Sequence, residues 1–287
     1  MSAVRPAELI RRPHPRLRPL VGDYVGYDIS GVAAGTHLGL PSGSLTFIVS
    51  IDAPLTQVDP ATGSSEAFDV LLAGLHLRPT HIRHRGAMAG IQINFTPFAP
   101  RALFGMPAAE FAHRSWDLIE VSRTVAVELH ERVNTARTWV ARFDAIDEVL
   151  LRTAAEAGPR PALPRGSARP RPELLEAWRQ IAAGHGGLPI SLVADQIGWS
   201  RRHLNGVFSA EFGIGPKEAA RVLRFDRARR MISASAGSLA EISAVCGYAD
   251  QSHLNRDFRQ LAETTPVRWL QDDPVARRGT IGSERTV

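Results

Sequence analysis

Ser243-Ala244-Val245-Cys246-Gly247-Tyr248-Ala249-Asp250-Gln251-Ser252-His253-Leu254-Asn255-Arg256-Asp257-Phe258 repeats a pattern already set out at Ala194-Asp195-Gln196-Ile197-Gly198-Trp199-Ser200-Arg201-Arg202-His203-Leu204-Asn205-Gly206-Val207-Phe208. Each copy has a short helix, a glycine with an aromatic after it, a small or acidic residue, then His-Leu-Asn and a Phe four residues after the Leu. Each reaches a proline eight residues beyond that Phe, Pro216 and Pro266. Gly198 and Gly247 can take the left-handed conformation that ends a helix. Ser200 and Asp250 can cap the next one. Ile197, Leu204 and Phe208 then form the apolar seam of one unit, and Cys246, Leu254 and Phe258 that of the other. Arg201, Arg202 and Asn205 point outward in the first copy, and Gln251, Ser252, Asn255 and Arg256 in the second. Long hydrogen-bond donors at the start of the second helix of such a pair are what a DNA major groove requires. One helix-Gly-helix pattern is common in α-helical proteins; two in register, each with its proline, point to a duplicated DNA reader.

A helix over Pro216–Ala234 is predicted to join the copies. At about 1.5 Å per residue it spans about 27 Å, against about 34 Å between major grooves on one face of B-DNA. Val222, Phe225, Ala228 and Ile232 are expected to pack against both copies. Arg221, Arg224, Arg227 and Arg230, three residues apart, are expected to add surface charge or phosphate contacts. Further helices are predicted near Glu173–Ala183, Ser191–Ile197, Ser200–Phe212, Ser238–Cys246, Asp250–Leu261 and Pro266–Gln271.

From Glu173 to Leu270 the chain resembles the DNA-binding domain of the AraC/XylS family of bacterial transcription regulators. Arg224-Phe225-Asp226-Arg227-Ala228-Arg229-Arg230-Met231-Ile232 is similar to the family's linker helix, Ile242 to Phe258 to its most diagnostic stretch, and Thr265-Pro266-Val267-Arg268-Trp269 to its closing helix. The resemblance implies that Arg202, Asn205, Ser252 and Arg256 touch double-stranded DNA, and it implies RNA polymerase as a partner. Two residues depart from the family. Gly206 stands where the first recognition helix usually has Arg or Lys, which leaves that helix to Arg201 and Arg202. Ser243 stands where Ala is common and must find a hydrogen bond.

The N-terminal part reads as β-rich. Leu45, Phe47, Val49 and Ile51 alternate with Thr46, Ile48, Ser50 and Asp52, and Ile91, Ile93 and Phe95 with Gln92, Asn94 and Thr96, the period of half-buried strands. Asp69 to Leu77 reads as another strand. Turns at Pro41-Ser42-Gly43 and Asp59-Pro60-Ala61-Thr62-Gly63 separate them, so a small barrel or sandwich is expected. After Pro107, Trp139, Phe143, Ile146 and Leu150 recur at helical spacing, and two or three helices are expected up to Ala157. Leu40 to Gly43 and Thr96 to Pro107 resemble a subgroup of the family with a cupin-like barrel followed by helices. That resemblance implies a small-molecule effector or a homodimer contact. The expected fold class is thus α+β: a cupin-like barrel with helices at 1–157, a Pro/Gly-rich linker at 158–172, an all-α domain of two helix-turn-helix units at 173–272, and a disordered tail at 273–287.

Composition limits the chemistry. Hydrophobic residues make up 44% and charged residues 22% of the 287, enough for a core of ordinary size. The net charge of +5 permits a nucleic-acid partner without demanding one. Lys217 is the only lysine, so nearly every positive charge is a guanidinium, the group that fits phosphate and guanine with paired donors. Cys246 is the only cysteine, which excludes an intramolecular disulfide and a cysteine-based zinc cluster. No apolar run is long enough for a signal peptide or a membrane span, so a cytoplasmic protein without a membrane partner is expected. His76, His81 and His84 cluster in sequence, but without a spaced Glu and among arginines they read as packed or solvated side chains rather than metal ligands. His37, just before Pro41, reads as a pocket or loop residue. Gly39-Leu40-Pro41-Ser42-Gly43 lacks the spacing of a nucleophile elbow, and no phosphate-binding glycine loop exists. No cofactor, metal or catalytic residue is expected. Two other readings stand beside the regulator: a ligand-binding or enzymatic barrel with a helical protein-interaction module, favoured by Gly206 alone, and a nonspecific DNA-coating protein.

Overall fold

The structure is a computed structural model that describes residues 7–157 and 170–273. Residues 158–169 of the predicted linker and 274–287 of the predicted tail lie outside the described residues. The chain forms two units. The first comprises residues 7–37, 44–74 and 80–157; the second comprises Leu38–Gly43, Leu75–Pro79 and residues 170–273.

The strands are β1 (Ala7–Arg11), β2 (Val21–Ile29), β3 (Gly35–Gly39), β4 (Leu45–Ile51), β5 (Leu55–Val58), β6 (Ser65–Phe68), β7 (Val70–Ala73), β8 (Thr80–His84), β9 (Met88–Phe95) and β10 (Ser115–Asp117). They form a six-stranded sheet, β1-β2-β9-β4-β7-β10, and a four-stranded sheet, β3-β8-β5-β6. At the middle of the larger sheet β4 runs antiparallel to β9, with Phe47 opposite Ile93 and Val49 opposite Ile91. The rings of Phe47 and Phe95 stack at 4.7 Å.

The alternation in β4 predicts one buried face, yet Ile48 and Ser50 are buried as well. The helices account for this. They are α1 (Ala99–Phe104), α2 (Leu118–Val121), α3 (Arg123–Thr135) and α4 (Trp139–Glu156), and α3 lies over β4, where the Asn134 amide donates to the Ser50 carbonyl at 3.1 Å. Ser50 tolerates burial because its hydroxyl donates to the Phe68 carbonyl at 3.0 Å and accepts from the Leu55 N–H at 3.1 Å.

Helical structure begins earlier than predicted. Pro100 is accepted in the first turn of α1, and Pro107 opens only a 3-10 turn, Ala108–Phe111. The strand read over Asp69 to Leu77 is shorter, ending at Ala73. At Gly74 the backbone passes so close to Phe111 that a Cβ would lie 1.9 Å from its carbonyl oxygen, a position only glycine can occupy. Gly26 plays a similar part on β2, where a Cβ would meet the Trp139 ring of α4 at 2.6 Å.

The second unit holds α5 (Pro172–Ala183), α6 (Ile190–Gln196), α7 (Arg201–Phe212), α8 (Pro216–Ser233), α9 (Leu239–Val245), α10 (Gln251–Leu261) and α11 (Pro266–Asp272), each within two residues of its prediction. Trp178 of α5 packs on Phe208 and Phe212 with ring centres 5.7 and 4.7 Å apart. The other half has its own aromatic centre, Phe225 against Phe258 at 4.9 Å and Phe258 against Trp269 at 5.9 Å. Val222, Phe225, Ala228 and Ile232 of α8 are all buried.

Candidate nucleic-acid interface

The two helix pairs are built alike, α6 with α7 and α9 with α10. Gly198 and Gly247 both adopt positive φ, +73° and +74°, with nothing within 4 Å of a notional Cβ. Backbone angle, not crowding, therefore selects glycine at both turns. The Ser200 hydroxyl accepts from the His203 N–H at 3.2 Å, and the Asp250 carboxylate from the His253 N–H at 2.7 Å. These caps start α7 and α10. Leu204, Phe208, Leu254 and Phe258 are fully buried, Cys246 nearly so, and Ile197 half-buried.

That anchoring leaves one polar face on each second helix. Arg201, Arg202 and Asn205 are exposed on the first turns of α7, and the Asn205 amide oxygen also comes near Gly215. Gln251, Ser252 and Arg256 are exposed on α10, and Asn255 is half-buried. Arg201 and Arg202 stand four and three residues before Asn205, and Gln251 and Ser252 each stand four residues before Asn255 and Arg256, so each set lies along one side of its helix. Gly206 is exposed beside Asn205 with open space around it.

Two features escape the sequence reading. Trp199 meets His203 edge to face at 4.7 Å, and Tyr248 meets His253 likewise at 5.0 Å. Each aromatic after the turn glycine thus braces the start of its exposed helix. The repeat carried that signal, since aromatic and His recur together in both copies. The linker arginines are the second feature. Arg221 donates from Nε to Asp257 at 2.8 Å and also reaches Gln260. Arg224 donates to the Gly186 carbonyl at 3.0 Å. Arg230 pairs with Asp226 at 2.8 Å. Period three on α8 reads as surface charge, but these three head groups are committed to partners inside the unit.

Burial sets the titration of the groups beneath. The Tyr248 phenol is pushed well up from its ordinary value by burial and then by the Asp257 charge. Burial likewise raises the Cys246 thiol, which lies 3.7 Å from the Met231 sulfur and behaves as a small apolar group. Ser243 is buried and donates to the Leu239 carbonyl at 2.6 Å. Among the described residues no three His, Cys, Asp or Glu side chains come together as a metal site, and no helix is long and apolar enough to cross a membrane.

Comparison with known proteins matches two stretches of the chain to described families. Residues 193–272 match the family described as a helix-turn-helix domain, and residues 10–117 match one described as a domain of unknown function (DUF6597). The regulator GlxA of Rhizobium meliloti is 33% identical over 113 residues, 37% of this chain and 35% of its own. An uncharacterized HTH-type transcriptional regulator of Staphylococcus aureus is 23% identical over 91 residues, 32% of this chain. The match spans only 12% of that relative's length. Both of these relatives are named as regulators rather than enzymes. Across 88% of this chain and 98% of its own, the structure of ToxT from Vibrio cholerae is similar, with a TM-score of 0.51 and 10% identity. That likeness concerns the fold, an antiparallel β-rich part followed by helices.

Proposed function

We propose that the chain, whose residues 193–272 form an AraC-type helix-turn-helix domain, is a sequence-specific DNA-binding transcription regulator. In this reading α7 and α10 enter adjacent major grooves. Arg201, Arg202 and Asn205 contact one, and Gln251, Ser252, Asn255 and Arg256 the other. The observation that carries it is the pair of capped helices with exposed polar first turns, built alike and joined by the single helix α8. Arginine and asparagine suit guanine and adenine edges.

The first unit, in the same proposal, takes a small-molecule effector or pairs two subunits, and RNA polymerase is the partner through which binding is read out. The experiment is selection of bound fragments from random duplexes by the intact chain, repeated with and without cell metabolites. An enriched motif with two recognised halves supports the reading. Enrichment of no motif, or full displacement by unrelated DNA, overturns it. Binding should weaken steeply with salt, because phosphate contacts release counterions. Arg256→Ala should cost about 1–3 kcal/mol and relax preference at one base pair.

A further inference from the structure

On α8, Arg221 and Arg224 stand one turn apart and look alike in sequence, but they hold different parts of the second unit. Arg221 reaches forward to α10. Its Nε donates to Asp257 Oδ1 at 2.8 Å and a terminal nitrogen reaches the Gln260 amide oxygen. Asp257 is 6% exposed, one residue from the outward-facing Arg256. An arginine gripping a buried carboxylate and a neighbouring amide on one helix resists rotation of that helix about its axis, because the planar guanidinium has directed donors.

Arg224 works in two directions. Its terminal nitrogen donates to the Gly186 carbonyl at 3.0 Å, in the turn between α5 and α6. That turn lies hard against α8, since a Cβ on Gly186 would be 1.8 Å from the Ala220 carbonyl oxygen. The same guanidinium lies over the Tyr248 ring at 5.6 Å, and Tyr248 belongs to the turn between α9 and α10. Arg224 therefore touches the supports of both exposed helices at once.

We propose that Arg221 and Arg224 are positioning residues that set the angle and separation of the two recognition helices, and so the operator spacing the protein accepts. They act without touching DNA. The inference rests on the reading of α7 and α10 as recognition helices. Its physical basis is that two weak readers act as one strong reader only when their linkage holds both over their half-sites together.

The test uses the intact chain and duplexes recovered by selection from random DNA, in three sets: the recovered sequence, the same with one or two base pairs inserted between its halves, and duplexes retaining a single half. The wild type should bind the recovered sequence best and lose affinity steeply on insertion. Arg221→Gln and Arg224→Gln should each lose about tenfold on the recovered sequence, with a flattened dependence on spacing. Their affinity for a single half, and its slope with salt, should match the wild type. A loss of the same size on the single half, with the salt slope reduced by about one, would make these arginines phosphate contacts and overturn the proposal. Unchanged spacing dependence overturns it too. Thermal melting followed by circular dichroism reports whether the variants fold. If a Gln variant does not, Arg221→Lys and Asp257→Asn carry the same comparison, and the same results support or overturn the proposal. Failure of the wild type to recover any motif would remove the underlying reading and this inference together, and would be seen before any variant is compared.

Discussion

Asp147 of α4 accepts the hydroxyl hydrogen of Tyr24 of β2 at 2.7 Å, across 123 residues of chain. The same carboxylate accepts the His14 N–H at 2.9 Å and Arg11 at 3.3 Å, and Arg11 also pairs with Asp144 at 2.6 Å. Burial, with the Asp147 hydrogen bond next, keeps the Tyr24 phenol protonated far above its ordinary range. One buried acid thus gathers β2, the segment after β1, and the last helix of the first unit.

Removing either partner has unequal consequences. Tyr24→Phe deletes one bond to a charged acceptor that keeps its others, a loss of about 1.5–3 kcal/mol. Asp147→Ala strands the buried Tyr24 hydroxyl and the His14 N–H, at about 1–3 kcal/mol for each, while Arg11 keeps Asp144. Urea unfolding of the intact chain, followed by near-ultraviolet circular dichroism, measures both. An Asp147→Ala variant as stable as Tyr24→Phe would contradict this account.

Ser243 makes the opposite case. Its hydroxyl is satisfied by the Leu239 carbonyl at 2.6 Å, one helical turn back, an acceptor that also serves the helix. Ser243→Ala removes donor and hydroxyl together and should change stability by no more than about 0.5 kcal/mol, alanine being the better helix former. Ser243→Val adds bulk at a position 1% exposed and should cost about 1–3 kcal/mol. Melting temperatures of the two variants should separate accordingly. A destabilised alanine variant would mean the hydroxyl holds something beyond its own helix.

The reach of sequence reasoning differs between the units for a physical reason. Helix ends in the second unit are decided locally, by Gly198 and Gly247 at positive φ and by the Ser200 and Asp250 caps. A window of a few residues therefore reveals them. Ser50 and Gly74 are decided by segments far along the chain, Asn134 of α3 and Phe111, and no local pattern announces either. Arg221 and Arg224 fall between the two cases. Their spacing is visible in the sequence, but Asp257 and Gly186, the groups they hold, are 36 and 38 residues away.

Acid should weaken the start of α9. Glu241 accepts from the Ser238 N–H and hydroxyl, both at 2.8 Å, and Ser238 accepts in turn from the Glu241 N–H at 3.3 Å. The Ser238 N–H, then its hydroxyl, hold the Glu241 carboxyl below its ordinary value. A lowered pKa in the folded state means the contribution is complete above the unfolded value, about 4.3, and is lost as pH falls through the lowered one. The melting difference between wild type and Glu241→Gln should be constant near neutrality and shrink through the acid range. Glu176, taken down to about 2 by Arg179 and then Gln180, keeps its charge further into acid and serves as the comparison. A difference that does not change with pH would show that the charge of Glu241 is idle in the cap.

Gly206 tests directly the proposal that α7 is a recognition helix. It lies in α7, exposed, with nothing within 4 Å of a notional Cβ, so a side chain fits without strain. Gly206→Ala should stabilise the chain by about 1 kcal/mol through helix propensity alone and leave affinity for the selected DNA close to wild type. Gly206→Arg places a guanidinium where α10 has Arg256. With α7 in a groove, it should raise affinity and steepen the salt dependence by about one unit of slope. The alanine variant removes the stability component from that comparison, so the remaining difference reports contact. Equal affinity for all three proteins would mean that this face of α7 does not meet DNA, and the two-groove reading would then rest on α10 alone.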